Sequence, residues 1–247
     1  MGPERSFDHD LGVVCVATCA QCGGATDVNN PRRFDLIVFD WDGTLFDSTA
    51  LIVRCIQDAC RDVGAVAPSD ADAAYVIGLG LADALRHAVP DLPAERYAEL
   101  GLRYRHHYFA RQHELSMFPG TLAMLHALKA RHHALAVATG KGRRGLDEAL
   151  AHAQLKGLFD ATRTADETAS KPDPRMLHEL MRELGARPER TLMIGDTTHD
   201  LQLAVNAGTP RVAVSYGAHD HASFADFAPL AIAHSTRELH DWLVLNA

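Results

Sequence analysis

Lysine is scarce in this 247-residue sequence: only Lys129, Lys141, Lys156 and Lys171 occur, and the formal net charge is −8. A chain of that sign lacks the basic surface that holds a phosphate backbone, which excludes a general nucleic-acid binder. Cysteine is sparse and odd in number, with three of the five residues (Cys15, Cys19 and Cys22) bunched near the start. That is no disulfide framework, so a reducing, cytoplasmic setting is expected. The C-x3-C-x2-C spacing matches an iron–sulfur cluster signature, yet no barrel-length repeat of strands and helices follows it. The apolar run from Leu11 to Ala20 is too short to span a bilayer. Arg5 stands there against Glu4, Asp8 and Asp10, so the positive flank of a signal peptide is missing. Residues 1–32 are therefore expected to be a poorly ordered leader, with no membrane partner.

What is present is ordinary globular material, 47% hydrophobic and 23% charged, enough for one large domain or a medium one carrying an insertion. From Phe34 onward, short apolar runs alternate with helical stretches. Strands are predicted at Leu36 to Asp40, Ala134 to Thr139, Thr191 to Gly195 and Arg211 to Val214, with weaker ones at Phe159 to Thr162 and Leu230 to Ala233. The runs are continuously apolar, as when helices cover both faces of a parallel sheet. Helices are predicted at Thr121 to Arg131, Arg143 to Ala153, Pro174 to Leu184 and His199 to Ala207, with Gly208 as the stop. The alternation predicts an α/β fold with a doubly wound, mostly parallel sheet. Residues 48–117 break the rhythm with helix alone. Leu51, Ile52, Cys55, Ile56, Ala59 and Val63 share one face, with Ser48 or Thr49 as the cap residue. The expected division is a core of residues 33–47 and 118–247 around a helical insertion.

Ligands of open α/β sheets bind beyond the carboxyl ends of the strands. There the sequence places Asp40 and Asp42, then Thr139 and Gly140, then Asp196, with Lys171 in a loop ahead of a helix. Converging carboxylates repel one another and need a cation or raised pKa values. A donor set of oxygens without histidine favours Mg²⁺ over zinc. Such a site beside a lysine and a hydroxyl suits phosphoryl transfer. Taken one at a time, Asp42 or Asp196 reads equally well as a turn or cap residue; the set as a whole does not.

The motifs D-x-D-G-T at Asp40 to Thr44, the strand ending in Thr139, "SKPDP" at Ser170 to Pro174 and "IGDTTHD" at Ile194 to Asp200 resemble, in order, those of haloacid dehalogenase-like hydrolases. The resemblance covers about Phe34 to Ala247, and the insertion after the first motif is similar to the helical cap of the phosphoglycolate phosphatase-like branch. It implies a Rossmann-like core and an Mg²⁺-dependent phosphatase acting on a small phosphorylated metabolite. Asp40 is then the nucleophile that forms an aspartyl-phosphate. Asp42 is the acid and base for the leaving oxygen and the water. Gly43, Thr139, Gly140 and Lys171 would bind the phosphoryl group, with Gly43 clearing space for it. Asp40, the Asp42 carbonyl and Asp196 would ligate Mg²⁺, and Asp200 would orient that shell. Two departures stand out: Trp41 is bulky for its place, and Gly140 stands where asparagine is common, which predicts a looser phosphate site.

Asp42 argues against a dehalogenase, which needs no acid on its leaving group. Residues 49–117 hold no lysine for a phosphonate-cleaving Schiff base. Alternatives of other kinds are a sugar phosphomutase and a non-catalytic phosphate-binding protein, the latter disfavoured by the retention of Asp40, Asp42 and Lys171. Arg54 and Arg86 are candidates for a substrate carboxylate. The pairs His106-His107 and His132-His133 lack metal-ligand spacing. The sequence leaves the exact substrate and the number of subunits open.

Overall fold

The computed structural model describes residues 32–152, 155 and 157–247. The leader, apart from Arg32, lies outside the described residues, and so do its three cysteines. The apolar runs become six strands: β1 (Leu36–Phe39), β2 (Ala134–Thr139), β3 (Ala161–Thr164), β4 (Thr191–Gly195), β5 (Arg211–Val214) and β6 (Ile232–Ala233). They form one parallel sheet in the order β3-β2-β1-β4-β5-β6. β1 sits between β2, with Leu36 opposite Ala134, and β4, with Leu36 opposite Thr191. The strand order therefore reverses beside β1, where an open α/β sheet parts to make its ligand crevice.

Successive strand residues point to opposite faces, and both faces are buried. Ile37, Phe39, Leu135, Val137 and Ile194 pack on α5 (Thr121–Ala130), α6 (Arg143–His152) and α9 (Thr236–Asn246) through Leu125, Leu128, Leu146, Leu239 and Leu243. Leu36, Val38, Ala136 and Met193 pack on α7 (Arg175–Leu184) and α8 (Thr198–Ala207) through Met176, Leu177, Leu180 and Leu203. Each fully buried aliphatic side chain contributes about 1.5–3 kcal/mol. β3 begins two residues later than the sequence suggests. Asp160 is drawn off as the partner of Lys129 (2.8 Å) and as acceptor from the Leu135 amide.

Between β1 and β2 lie α1 (Thr49–Asp62), α2 (Asp70–Tyr75), α3 (Leu81–Ala88) and α4 (Tyr97–Arg111). Their apolar faces close on one another: Ile52, Cys55, Ile56 and Ala59 of α1 share a cluster with Leu85 of α3 and Leu100 and Tyr108 of α4. Cys55 and Cys60 are buried, unpaired thiols of α1. Ser48 does precede α1 but makes no capping hydrogen bond there; its hydroxyl is used elsewhere. At the far end of the chain, α8 carries a reciprocal cap: Thr197 accepts from the Asp200 amide, and Asp200 accepts from the Thr197 amide. Gly208, at φ +69°, ends α8 as expected. Among the described residues no helix is long and apolar enough to cross a membrane.

Candidate active site

Asp40 directly follows β1 and is fully buried. One of its oxygens, Oδ1, receives the Lys171 ammonium at 2.6 Å; the other, Oδ2, is buried with no hydrogen-bond partner. An orphaned, buried carboxylate oxygen costs free energy unless a ligand or cation meets it. Burial, together with the like charges of Asp200 and Asp196, outweighs Lys171 and holds the Asp40 carboxyl well above the usual carboxylate range.

The same ammonium reaches Asp200 Oδ1, also at 2.6 Å. Burial disfavours the charged lysine, but Asp200 and Asp40 more than compensate, and its pKa is raised. Asp196, after β4, is held by the Thr44 hydroxyl on Oδ1 and by the Ala218 amide on Oδ2, each at 2.7 Å. Burial and then the charge of Asp200 push its carboxyl up to about 7. One oxygen from each of Asp40, Asp196 and Asp200 falls within 4.8 Å of the others. When ionised, the three carboxylates and one ammonium leave a net charge of −2 in a buried space, on oxygen donors alone. That charge, that donor set and the orphaned Asp40 Oδ2 fit a divalent cation of the hard, oxygen-binding kind.

Asp42 faces a different group. Its Oδ1 accepts from the Ser48 hydroxyl at 2.8 Å, and the Lys141 ammonium spans both oxygens at 2.9 and 3.2 Å. Lys141 also donates to the Tyr108 hydroxyl at 2.8 Å, linking the insertion to the end of β2. Thr139 ends β2, and its hydroxyl accepts from the Lys141 amide at 3.2 Å, leaving its own proton to donate. Asp40, Asp42, Thr139, Gly140 and Lys141 lie on one wall of a cavity of about 570 Å³ whose other wall is the insertion.

Among the described residues, the contacts that fasten the insertion over this cavity include three. The Gly80 amide donates to Ser170 Oγ at 2.8 Å. The Tyr75 carbonyl accepts from His199 Nε2 at 2.8 Å and from His219 Nε2 at 2.9 Å. Lys141 and Tyr108 make the third. A Cβ on Gly140 would collide with the Gly78 and Leu79 carbonyl oxygens, so that backbone closes down only because residue 140 has no side chain.

The family model of haloacid dehalogenase-like hydrolases matches residues 37–214, from the start of the sheet to the end of β5. The chain belongs to the haloacid dehalogenase-like hydrolases. A phosphoglycolate phosphatase of Aliivibrio fischeri is 32% identical over 203 residues, covering 78% of this chain and 89% of its own length. A pyrophosphatase PpaX of Halalkalibacterium halodurans is 29% identical over 217 residues, 87% of this chain and 99% of its own. A hydrolase of Pseudomonas syringae superimposes with a TM-score of 0.79 over 85% of this chain and 98% of its own; at 22% identity it shows the fold.

In this haloacid dehalogenase-like hydrolase every residue anticipated at the strand ends falls at one end of the sheet. The clustered carboxylates are Asp40, Asp196 and Asp200, whereas the Asp42 carboxylate is turned to Ser48 and Lys141. Gly43, at φ +84°, has its missing Cβ against the Asp196 carboxylate, so its space serves that residue. The Gly140 backbone lies against the Gly78 and Leu79 carbonyls with no room for a side chain. Trp41 is buried in the core, stacked on Phe46 at 4.7 Å. Arg54 is exposed, and Arg86 is exposed and paired with Asp83; neither lines the cavity, while Arg105 and Arg144 do. Lys141, Ser48 and Tyr108 escape a sequence reading. The one available signal is that Lys141, one of four lysines, follows directly on a strand end.

Proposed function

We propose that this hydrolase is a phosphatase that cleaves a small phosphomonoester through an aspartyl-phosphate formed on Asp40. The observation that carries the reading is the state of that carboxylate: buried, fixed through Oδ1 by Lys171, with Oδ2 unpartnered on the wall of a cavity shared with Asp42. A carboxylate locked in one orientation, with one oxygen spare, is set up for nucleophilic attack. An Asp40 oxygen attacks phosphorus as the ester oxygen leaves with its bonding electrons. Asp42 gives that oxygen a proton, then takes one from the water that splits the acyl phosphate. Thr139 and the Gly140 amide receive phosphoryl oxygens, and Lys171 keeps the nucleophile in place against its like-charged neighbours. Asp40 and Asp196, with Asp200 beside them and the Asp42 carbonyl, are the residues that would hold Mg²⁺, which supplies charge neutralisation for the phosphoryl group.

Residues 48–117 act as a cap whose contacts choose the substrate; the protein works in the cytoplasm on a phosphorylated metabolite. The phosphoglycolate phosphatase and pyrophosphatase relatives favour a small anionic substrate. Phosphate release from phosphoglycolate, pyrophosphate, sugar phosphates and nucleotides, with and without Mg²⁺, tests the reading. Magnesium-dependent release with one preferred compound supports it. A folded protein that isomerises a sugar phosphate without releasing phosphate would make it a mutase instead.

A further inference from the structure

The cavity beyond Asp42 is walled by apolar residues of the insertion, among them Ile52, Ile56, Val76, Ile77 and Phe109. One ammonium is set into this lining. The Lys141 side chain is 8% exposed, donates to Asp42 and to the Tyr108 hydroxyl, and lies 4.5 Å from the Tyr108 ring centroid. Burial opposes its charge, but Asp42 and Tyr108 outweigh it, so the amine stays protonated. Tyr108 accepts that bond and keeps its own proton for a ligand. The other cations of the wall are of a different kind: Arg105 is exposed, and Arg144 is exposed and paired with Glu148.

Asp42 is the group assigned to the leaving oxygen, and Lys141, one hydrogen bond from it on the same cavity wall, is within reach of the rest of the leaving group. Lys141 spans both Asp42 oxygens, and together with Ser48 it already accounts for three of the carboxylate's bonds, so the ion pair competes with the ester oxygen for Asp42. Breaking a buried ion pair is costly unless another charge takes the vacated place. An anionic substituent on the leaving group can take it; a neutral one cannot.

We propose that Lys141 selects phosphomonoesters whose leaving group carries a second negative charge close to the ester oxygen, exchanging Asp42 for that anion as the substrate enters. The proposal rests on the phosphatase reading above and names the substrate class of that same site. Phosphoglycolate and ethyl phosphate make the test, since they differ in whether a carboxylate sits beside the ester carbon. Wild-type kcat/KM should favour phosphoglycolate by at least about tenfold, the value of one charge-assisted hydrogen bond. In Lys141→Met that ratio should fall by about 10- to 100-fold, mostly through KM for phosphoglycolate, and Lys141→Arg should restore part of it.

Equal losses on both esters would make Lys141 only a positioning residue for Asp42 and overturn the proposal. An unchanged ratio, or one that falls in Arg105→Ala while Lys141→Met stays flat, overturns it as well. Should Lys141→Met fail to fold, the wild type decides: no preference for phosphoglycolate over ethyl phosphate refutes the selection. A wild type that releases phosphate from neither ester in Mg²⁺, nor from any other in the panel, overturns the phosphatase reading itself.

Discussion

Replacing Lys171 by methionine keeps the length of the side chain and removes its charge. In the folded protein Asp40 Oδ1 and Asp200 Oδ1, each 2.6 Å from the ammonium, are then buried with no counter-charge, and Asp196 is close by. Removing one partner of a buried ion pair costs about 3–5 kcal/mol. At about 2–4 °C per kcal/mol for a domain of this size, Tm should fall by about 6–20 °C. Two conditions should shrink that loss. Under the proposed metal role, Mg²⁺ would bind the folded arrangement of carboxylates and stabilise it by mass action. Acid does so by linkage. The Asp40 and Asp196 carboxyls already titrate above their unfolded values, and removing the ammonium raises them further. Between the unfolded and folded pKa the native state holds the extra protons, so stability declines as pH rises through that window. The deficit of the variant should therefore be smaller at about pH 5 than at about pH 8, where more of the carboxylates must ionise without a partner. Melting curves followed by circular dichroism, at both pH values and with and without Mg²⁺, read all of this in one series. A Tm within about 2 °C of wild type at the higher pH would refute the claim that this ammonium neutralises the cluster.

Other outcomes follow from neighbouring features. Asp40→Asn should abolish phosphate release while Tm stays level or rises, because one of three crowded carboxylates loses its charge; release at a wild-type rate would remove Asp40 as nucleophile. Gly140→Ala puts a Cβ against the Gly78 and Leu79 carbonyls, so hydrogen exchange at residues 78–80 should quicken and kcat/KM should drop; unchanged exchange would refute the close fit. His133 is buried, donates Nδ1–H to the Phe34 carbonyl at 2.9 Å and has an unpartnered Nε2. Burial holds its pKa below the usual histidine value. Below about pH 6.5 the unfolded chain takes up the proton first, so stability should fall as pH drops through that point. His133→Gln should flatten that limb of a Tm-against-pH plot, and an unaltered limb would assign it to other groups.

The sheet and the strand-end carboxylates were legible because each depends on a local pattern. Leu36 to Phe39 is continuously apolar, since both faces of β1 are covered, and Asp40 follows where a strand of that kind opens into a ligand crevice. What stayed hidden depends on segments that meet only in three dimensions. The Gly43 turn glycine reads as room for a phosphate until Asp196, from 153 residues further along, is seen filling it. Ser48 has the chemistry and position of a helix cap, but its hydroxyl is claimed by Asp42. Lys141 looks like any loop lysine until Tyr108 of α4 closes over it.

Two sides of Asp196 are main chain: a Cβ on either Gly43 or Gly217 would run into its carboxylate. A cradle of that kind has no rotamers to relax, so almost any substitution there fails outright instead of altering the reaction. On the opposite wall Ile52, Ile56 and Val76 are buried in the core of the inserted helices, whereas Leu79, Leu81 and Phe109 are only partly buried and can be exchanged for other shapes. A library aimed at new substrates should be drawn from these partly buried positions and from Lys141, and should leave the Asp196 cradle alone.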